Sequence, residues 1–325
     1  MSYLSGLRLP ESTIETTRIG FGCSNLLGDK TRDEGLRLLH AAYDCGIRHF
    51  DVARVYNFGD AESLIGEFQL GKRDRITITT KFGLMPREGV AKLKGAVQLA
   101  RRVMRSSPFI RSLVRKNVRT LTQGGQFNPA AAQASLEASL RALRTGYIDV
   151  YLLHEAFAED CTDEIMDFLQ TARMQGKIRA YGVGSGFAKV EEIAKLKAKF
   201  LQVAQFESGL LQGNVRAFQQ VRPSETLVTI THGALSAAKP LQDKMASDPT
   251  LATVWSNELG IDLTNPSSLH ASLLQYALLA NPQGGAIFRA STPARIKSNI
   301  DSVSSSPLSV EQMCVLEKIA ASVNP

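Results

Sequence analysis

Gly20-Phe21-Gly22-Cys23-Ser24-Asn25 ends the first β-rich run of the chain, and its last position separates two folds. A doubly wound dinucleotide-binding sheet opens with G-x-G-x-x-G after its first strand, where the glycines let backbone approach a pyrophosphate. Here the third glycine is replaced by Asn25. Working outward, β-rich runs lie over 18–23, 48–52, 76–81, 148–154, 178–183, 201–205, 227–231 and 286–288. They are rich in Val, Ile, Leu and Thr and end at polar or Gly positions, as buried parallel strands do. Amphipathic helical patterns alternate with them over 31–45, 61–70, 129–143, 162–175, 189–198 and 267–279. Asp60 and Asn128 read as N-caps, the latter followed by Pro129 at the first helical position. Leu136, Leu140 and Leu143 share one face of their helix, as a core stripe should.

Eight strands with intervening helices in about 300 residues is the length of a TIM barrel. The reading is therefore α/β, a (β/α)8 TIM barrel in a single domain over 1–325, with an open doubly wound sheet as the alternative. Residues 7–17, turning at Pro10-Glu11-Ser12, read as a hairpin that plugs the barrel floor. Residues 83–127 break the alternation: 92–104 and 109–118 have helical composition. They read as an inserted helical excursion after strand 3, on the catalytic face. Loops over 82–127, 206–224 and 239–262 are read as the segments that shape the substrate pocket.

The formal net charge of +7 is local. Ten Lys or Arg and one acid lie between Arg87 and Arg119, and the rest of the chain carries 28 basic and 30 acidic residues. A solvated helical face is the reading preferred for this segment. A lid for an anionic substrate and a membrane-surface contact are the functional alternatives. Phe109 is the lone aromatic between Phe82 and Phe127, so stacking platforms are too few to suggest nucleic acid. No apolar run nears the roughly 20 residues of a bilayer span. Residues 1–12 lack the apolar core of a signal peptide. Cys23, Cys45, Cys161 and Cys314 are scattered without metal-ligand spacing, which suits free thiols in a reducing, cytoplasmic setting.

The chemistry sits at strand ends. The second strand runs His49-Phe50-Asp51 and is followed by Tyr56; the third ends Thr79-Thr80-Lys81; the fourth ends Leu152-Leu153-His154. In a barrel these ends are neighbours at one rim. Reducing a carbonyl needs a hydride on carbon and a proton on oxygen. A phenol of pKa about 10 is a poor acid or base near neutrality. A nearby ammonium lowers that value by favouring phenolate. A buried ammonium needs a counter-charge, which a carboxylate provides. An imidazole can hydrogen-bond and orient the substrate oxygen. Singly, each residue has a plain structural reading: a loop-capping acid, a half-buried aromatic, a snorkelling lysine, a satisfied core histidine. The chemical reading rests on all four together, in order. His40, His49 and His270 lie within or beside patterned elements and are given no role.

At this point the chain resembles the aldo-keto reductase superfamily, over roughly 17–299. Asp51-Val52-Ala53-Arg54-Val55-Tyr56-Asn57-Phe58-Gly59-Asp60-Ala61-Glu62 is similar to the family's D-T-A-x-x-Y-G-x-G-x-x-E. Thr79-Thr80-Lys81 and Asp149-Val150-Tyr151-Leu152-Leu153-His154 follow in order. Ile287-Phe288-Arg289-Ala290-Ser291-Thr292-Pro293-Ala294-Arg295-Ile296-Lys297-Ser298-Asn299 is similar to I-P-K-S-x-x-P-x-R-I-x-x-N.

The resemblance implies an NAD(P)H-dependent oxidoreductase interconverting an aldehyde, ketone or sugar-like carbonyl and its alcohol. Tyr56 would be the general acid/base, Lys81 and Asp51 its tuning pair, and His154 the substrate-orienting residue. Gln205 would hold the nicotinamide carboxamide. Arg289, Arg295 and Asn299 would hold the adenosine-phosphate end, and guanidinium groups there favour NADP(H) over NAD(H). Gly22, Cys23 and Asp51 complete the implied cofactor contacts.

Departures fall on the cofactor side. The family's G-V-S-N appears as Gly182-Val183-Gly184-Ser185, so Ser185 stands where asparagine is usual. The stacking tyrosine of A-Y-S-P-L falls near His232. The lysine of I-P-K-S is Arg289. These departures and the basic excursion motivate a second expectation, a cofactor-binding regulatory or partner subunit with little turnover. Pure binding, however, does not require Tyr56 and Lys81 together.

Overall fold

The computed structural model describes residues 6–10, 15–28, 30–86, 122–123, 125–305 and 307–323. Eight parallel strands form one closed barrel. They are β1 (Ile19–Gly22), β2 (His49–Asp51), β3 (Thr77–Phe82), β4 (Ile148–His154), β5 (Ile178–Gly184), β6 (Val203–Glu207), β7 (Val228–His232) and β8 (Gly285–Phe288). Ile287 of β8 pairs with Gly20 of β1 and closes the ring, which excludes the open sheet. All eight expected strands form, with ends displaced by no more than two residues.

The two-residue period of each strand sorts its side chains between the interior and the helical layer. Val150 and Leu152 of β4 face inward with Ala180, Val203, Val228, Ile230 and Ile287. Tyr151 and Leu153 face outward and pack with Leu136 and Leu143. Tyr151 stacks on Phe82 of β3 with ring centroids 4.9 Å apart. The expected hairpin is present: Leu7–Arg8 pairs antiparallel with Glu15–Thr16. Leu7 and Leu9 are buried within the interior cluster, so the hairpin plugs the barrel. Residues 11–14 of its turn lie outside the described residues.

The helices are α1 (Arg32–Asp44), α2 (Asp60–Phe68), α3 (Pro129–Leu143), α4 (Asp163–Met174), α5 (Phe187–Leu196), α6 (Asn214–Val221), α7 (Ala238–Ser247), α8 (Pro249–Leu259), α9 (Pro266–Ala280), α10 (Pro293–Ser305) and α11 (Val310–Val323). Asn128 caps α3 as expected, its side chain accepting from the Ala131 amide at 2.9 Å. The cap of α2 differs from expectation. A 3-10 turn over Tyr56–Gly59 runs directly into the helix, and Gly59 takes the cap position at φ +89°. Asp60 is already helical and complements the helix dipole from the first turn.

Helices α6, α7 and α8 occupy stretches read as loops from the sequence. Leu241 and Met245 of α7 and Trp255 and Leu259 of α8 pack with Leu269, Leu273, Leu316 and Ile319, a hydrophobic cluster outside the barrel. Their helicity comes from that tertiary partner more than from a local signal. The excursion leaves β3 through Gly83 and begins as a short ribbon, Met85–Pro86 pairing antiparallel with Thr122–Gln123. The helical character expected over 92–104 and 109–118 lies outside the described residues.

Near the strand starts, Asp149 is fully buried and paired with Arg73 at 2.8 Å and Arg179 at 2.9 Å. The two guanidinium groups lie 3.7 and 3.8 Å from the ring centre of Tyr147. This clamp ties β3, β4 and β5 at the end away from the candidate site. Among the described residues no helix is long and apolar enough to cross a membrane.

Candidate active site

Inward parity and strand position bring Asp51, Lys81 and Gln205 together from β2, β3 and β6. Asp51 and Lys81 are 5% and 2% exposed. Lys81 Nζ donates to both Asp51 oxygens at 2.7 Å and to the Val52 carbonyl at 3.1 Å. Its three N–H groups thus meet three acceptors, which a buried ammonium requires. Gln205 Nε2 donates to Asp51 Oδ2 at 2.8 Å. Burial works against the Lys81 charge, but Asp51, Tyr56 and Cys23 together outweigh it and hold the ammonium pKa above its ordinary value.

Tyr56 stands on the 3-10 turn after β2, with its ring centre 5.4 Å from Lys81 Nζ. Its ring meets that of His154 edge-on at 6.1 Å and 84°. The sequence suggested that the ammonium would lower the phenol pKa. In the folded site the net direction is upward: burial raises it, and this outweighs the lowering by Lys81. The ammonium is already neutralised by Asp51, whose own charge also raises the phenol. Tyr56 is a neutral phenol near pH 7.

Burial, reinforced by Lys81, pushes His154 down to about 3, so its imidazole is neutral. Its Nδ1 is buried with no hydrogen-bond partner among the described residues. A phenol, a neutral imidazole and an ammonium-carboxylate pair therefore converge at the C-terminal rim of the barrel.

The expected cofactor contacts are distributed over the neighbouring strand ends and helix α10. Gly22 ends β1. Cys23 is fully buried in the core cluster with Phe21 and Leu26, and its amide donates to the Asp51 carbonyl at 2.8 Å. Burial raises its thiol well above the ordinary value, so it is not a thiolate. Its side chain is packed in the core. Ser185 is buried; its amide donates to the Gln205 carbonyl at 3.1 Å and its hydroxyl to the Ala156 carbonyl at 3.3 Å. His232 is exposed at the end of β7. Arg289 is exposed after β8 and donates to Ser24 Oγ at 3.1 Å. Arg295 is exposed in the first turn of α10. Asn299 is 2% exposed, and its Nδ2 is buried with no partner among the described residues. Unpartnered buried polar atoms are costly, so the orphans on His154 and Asn299 suit a polar ligand spanning this rim.

Two links were missed from the sequence. The Gln205–Asp51 contact had a visible signal, since Gln205 shares inward parity with Val203. Glu62 was noted only as a motif residue. It is fully buried, accepts from Thr80 Oγ1 at 2.8 Å and lies 3.7 Å from Arg54, bracing the Tyr56 turn against β3.

The fold and rim together define a parallel barrel with a phenol, an imidazole and an ammonium-carboxylate pair at its C-terminal end. The chain matches the Aldo/keto reductase family over residues 18–321 and belongs to that family. It is 26% identical over 180 residues to an uncharacterized oxidoreductase, YqkF, of Bacillus subtilis, covering 55% of this chain and 48% of that protein. It is 28% identical over 160 residues to the NADP(+) aryl-alcohol dehydrogenase of Phanerodontia chrysosporium, covering 48% of this chain and 35% of that protein. The chain thus spans about half or less of the length of these curated relatives. Among solved structures it resembles the glycerol dehydrogenase AKR11B4 from Gluconobacter oxydans. The TM-score is 0.73 at 21% identity, over 100% of this chain and 97% of that one.

Proposed function

We propose that this protein is an NADP(H)-dependent oxidoreductase that interconverts an aldehyde or ketone and its alcohol, with Tyr56 as general acid/base. The observation that carries this reading is the buried Lys81–Asp51 pair beneath Tyr56 and His154. A buried ion pair is expensive to maintain and contributes little to stability. Beside a phenol at a barrel's catalytic rim, it has a chemical use.

A bound nicotinamide nucleotide would supply or accept the hydride. The protein's part is the proton. Tyr56 starts as a neutral phenol and gives its proton to the carbonyl oxygen. The phenolate left behind is stabilised by the Lys81 ammonium, which cannot easily lose its own proton while bound to Asp51. His154, neutral across the working range, hydrogen-bonds the substrate oxygen and holds it near Tyr56.

Gln205 supports a carboxamide contact, and the buried amide of Asn299 supports a contact at the adenosine end. Arg289 and Arg295 support a 2′-phosphate, which a guanidinium grips through forked hydrogen bonds. The activity named for the Phanerodontia chrysosporium relative agrees with NADP(H). A purely regulatory role gains no support, because it gives no use to Tyr56 beside a buried ammonium. The test is NADPH oxidation by the purified protein with a panel of aliphatic, aromatic and sugar aldehydes, followed by loss of cofactor absorbance. Turnover of at least one class is expected. Tight NADPH binding with no turnover on any class would sink the reading.

A further inference from the structure

We infer that Gln205 is a positioning residue that couples the Asp51–Lys81 pair to the nicotinamide end of the cofactor, rather than a carboxamide ligand alone. This rests on the proposed nicotinamide site.

The contact defines which way the amide faces. Asp51 receives Lys81 at 2.7 Å on both oxygens, so it is an acceptor there. The Gln205 atom 2.8 Å from Oδ2 must then be the donor, Nε2. A primary amide has two N–H groups and a carbonyl. One N–H is used on Asp51. Among the described residues the other N–H and Oε1 meet no partner, although Gln205 is 3% exposed overall. The free edge is therefore one donor beside one acceptor. Its reciprocal partner is another primary amide, such as the carboxamide of a nicotinamide ring. Donation to an anion also polarises the amide, which strengthens Oε1 as an acceptor.

Gly184 provides the room for this arrangement. A Cβ at position 184 would lie 3.2 Å from Gln205 Oε1, 3.2 Å from Leu152 Cδ1 and 3.4 Å from Lys81 Cε. A side chain there would press on the amide and on the lysine stem together. The departure from the family's G-V-S-N thus falls directly beside the Gln205 amide and the Lys81 stem. Ser185, the next residue, donates its amide to the Gln205 carbonyl at 3.1 Å and fixes that strand end.

With both ends engaged, Gln205 would hold the Asp51 carboxylate in the orientation that grips Lys81. The share of nucleotide affinity that Asp51 contributes through Gln205 would then be lost with Gln205. The experiment measures dissociation constants of NADP+ and of adenosine 2′,5′-bisphosphate by titration calorimetry. The proteins are the parent, Asp51→Asn, Gln205→Leu, the double variant and Gln205→Glu. Adenosine 2′,5′-bisphosphate lacks the nicotinamide half, so unchanged affinity for it shows that a variant is folded and the adenosine end intact.

Asp51→Asn is expected to weaken NADP+ roughly tenfold in the parent background and at least about threefold less than that in Gln205→Leu, where only its direct contact and its pairing with Lys81 are lost. Gln205→Glu sets two carboxylates against each other, and they share a proton only at low pH. Its NADP+ to adenosine 2′,5′-bisphosphate affinity ratio should rise as pH falls from 8 to 6, while that of Gln205→Leu stays flat. Equal weakening by Asp51→Asn in both backgrounds would overturn the coupling, as would a flat ratio for Gln205→Glu. Should Asp51→Asn fail to fold, the Gln205→Glu profile decides alone. Loss of the coupling with both ligands still bound leaves the proposed function standing. Binding of neither ligand to the parent overturns both.

Discussion

Lys81 Nζ lies 2.7 Å from each carboxylate oxygen of Asp51, with both residues almost fully buried. This pair links fold to chemistry. It is held by adjacent strands, and it is the charge that a phenolate at Tyr56 would need. Removing one partner leaves the other buried and unpaired, which typically costs about 3–5 kcal/mol. Lys81→Met is therefore expected to lower the denaturant midpoint strongly and turnover by at least about 100-fold. Lys81→Met combined with Asp51→Leu should regain much of the stability and none of the turnover. If the double variant regains turnover as well, the ammonium has no chemical role.

Stability should fall in mild acid because His49 is buried as a neutral base. Its Nε2 lies 2.9 Å from Thr79 Oγ1, and burial depresses its pKa to about 4. Unfolded, it would titrate near 6.5. Between those values the unfolded chain binds the extra proton, so stability is full above about pH 6.5 and declines as pH falls toward 4. The loss from this residue at pH 5 is about 2 kcal/mol. Denaturant unfolding at pH 7 and pH 5 checks it. His49→Asn should lose less than the parent over that interval; an equal loss would exclude His49 as a source.

Cofactor preference should reside in the exposed guanidinium groups. Arg295→Ala is expected to raise the NADPH dissociation constant roughly 10- to 100-fold and to change that of NADH by less than about threefold. The effect should shrink at high salt, because the residue is exposed. Equal weakening of both nucleotides would assign Arg295 to something other than a 2′-phosphate.

The barrel was legible because its strands are short runs rich in Val, Ile, Leu and Thr with polar or Gly ends, alternating with amphipathic helical patterns, all of them local signals. Asp51, Lys81 and His154 were legible for the same reason: each is the last residue, or nearly so, of its strand. The link from Gln205 to Asp51 spans 154 positions and exists only once the ring has closed. The upward shift of Tyr56 depends on burial by several elements, which no residue spacing reports. Helices α7 and α8 were hidden because Trp255 and Met245 have their partners in α9 and α11, distant in sequence. The N-terminal plug was legible from the apolar Leu7 and Leu9 before a turn.

In the proposed reaction Tyr56 delivers the proton. The most direct test is Tyr56→Phe assayed with NADPH and an aldehyde that the parent reduces, alongside NADPH binding by fluorescence. The expected result is an NADPH dissociation constant within about twofold of the parent and turnover reduced by about 100- to 10,000-fold. Turnover equal to the parent, with the same affinity, would contradict it.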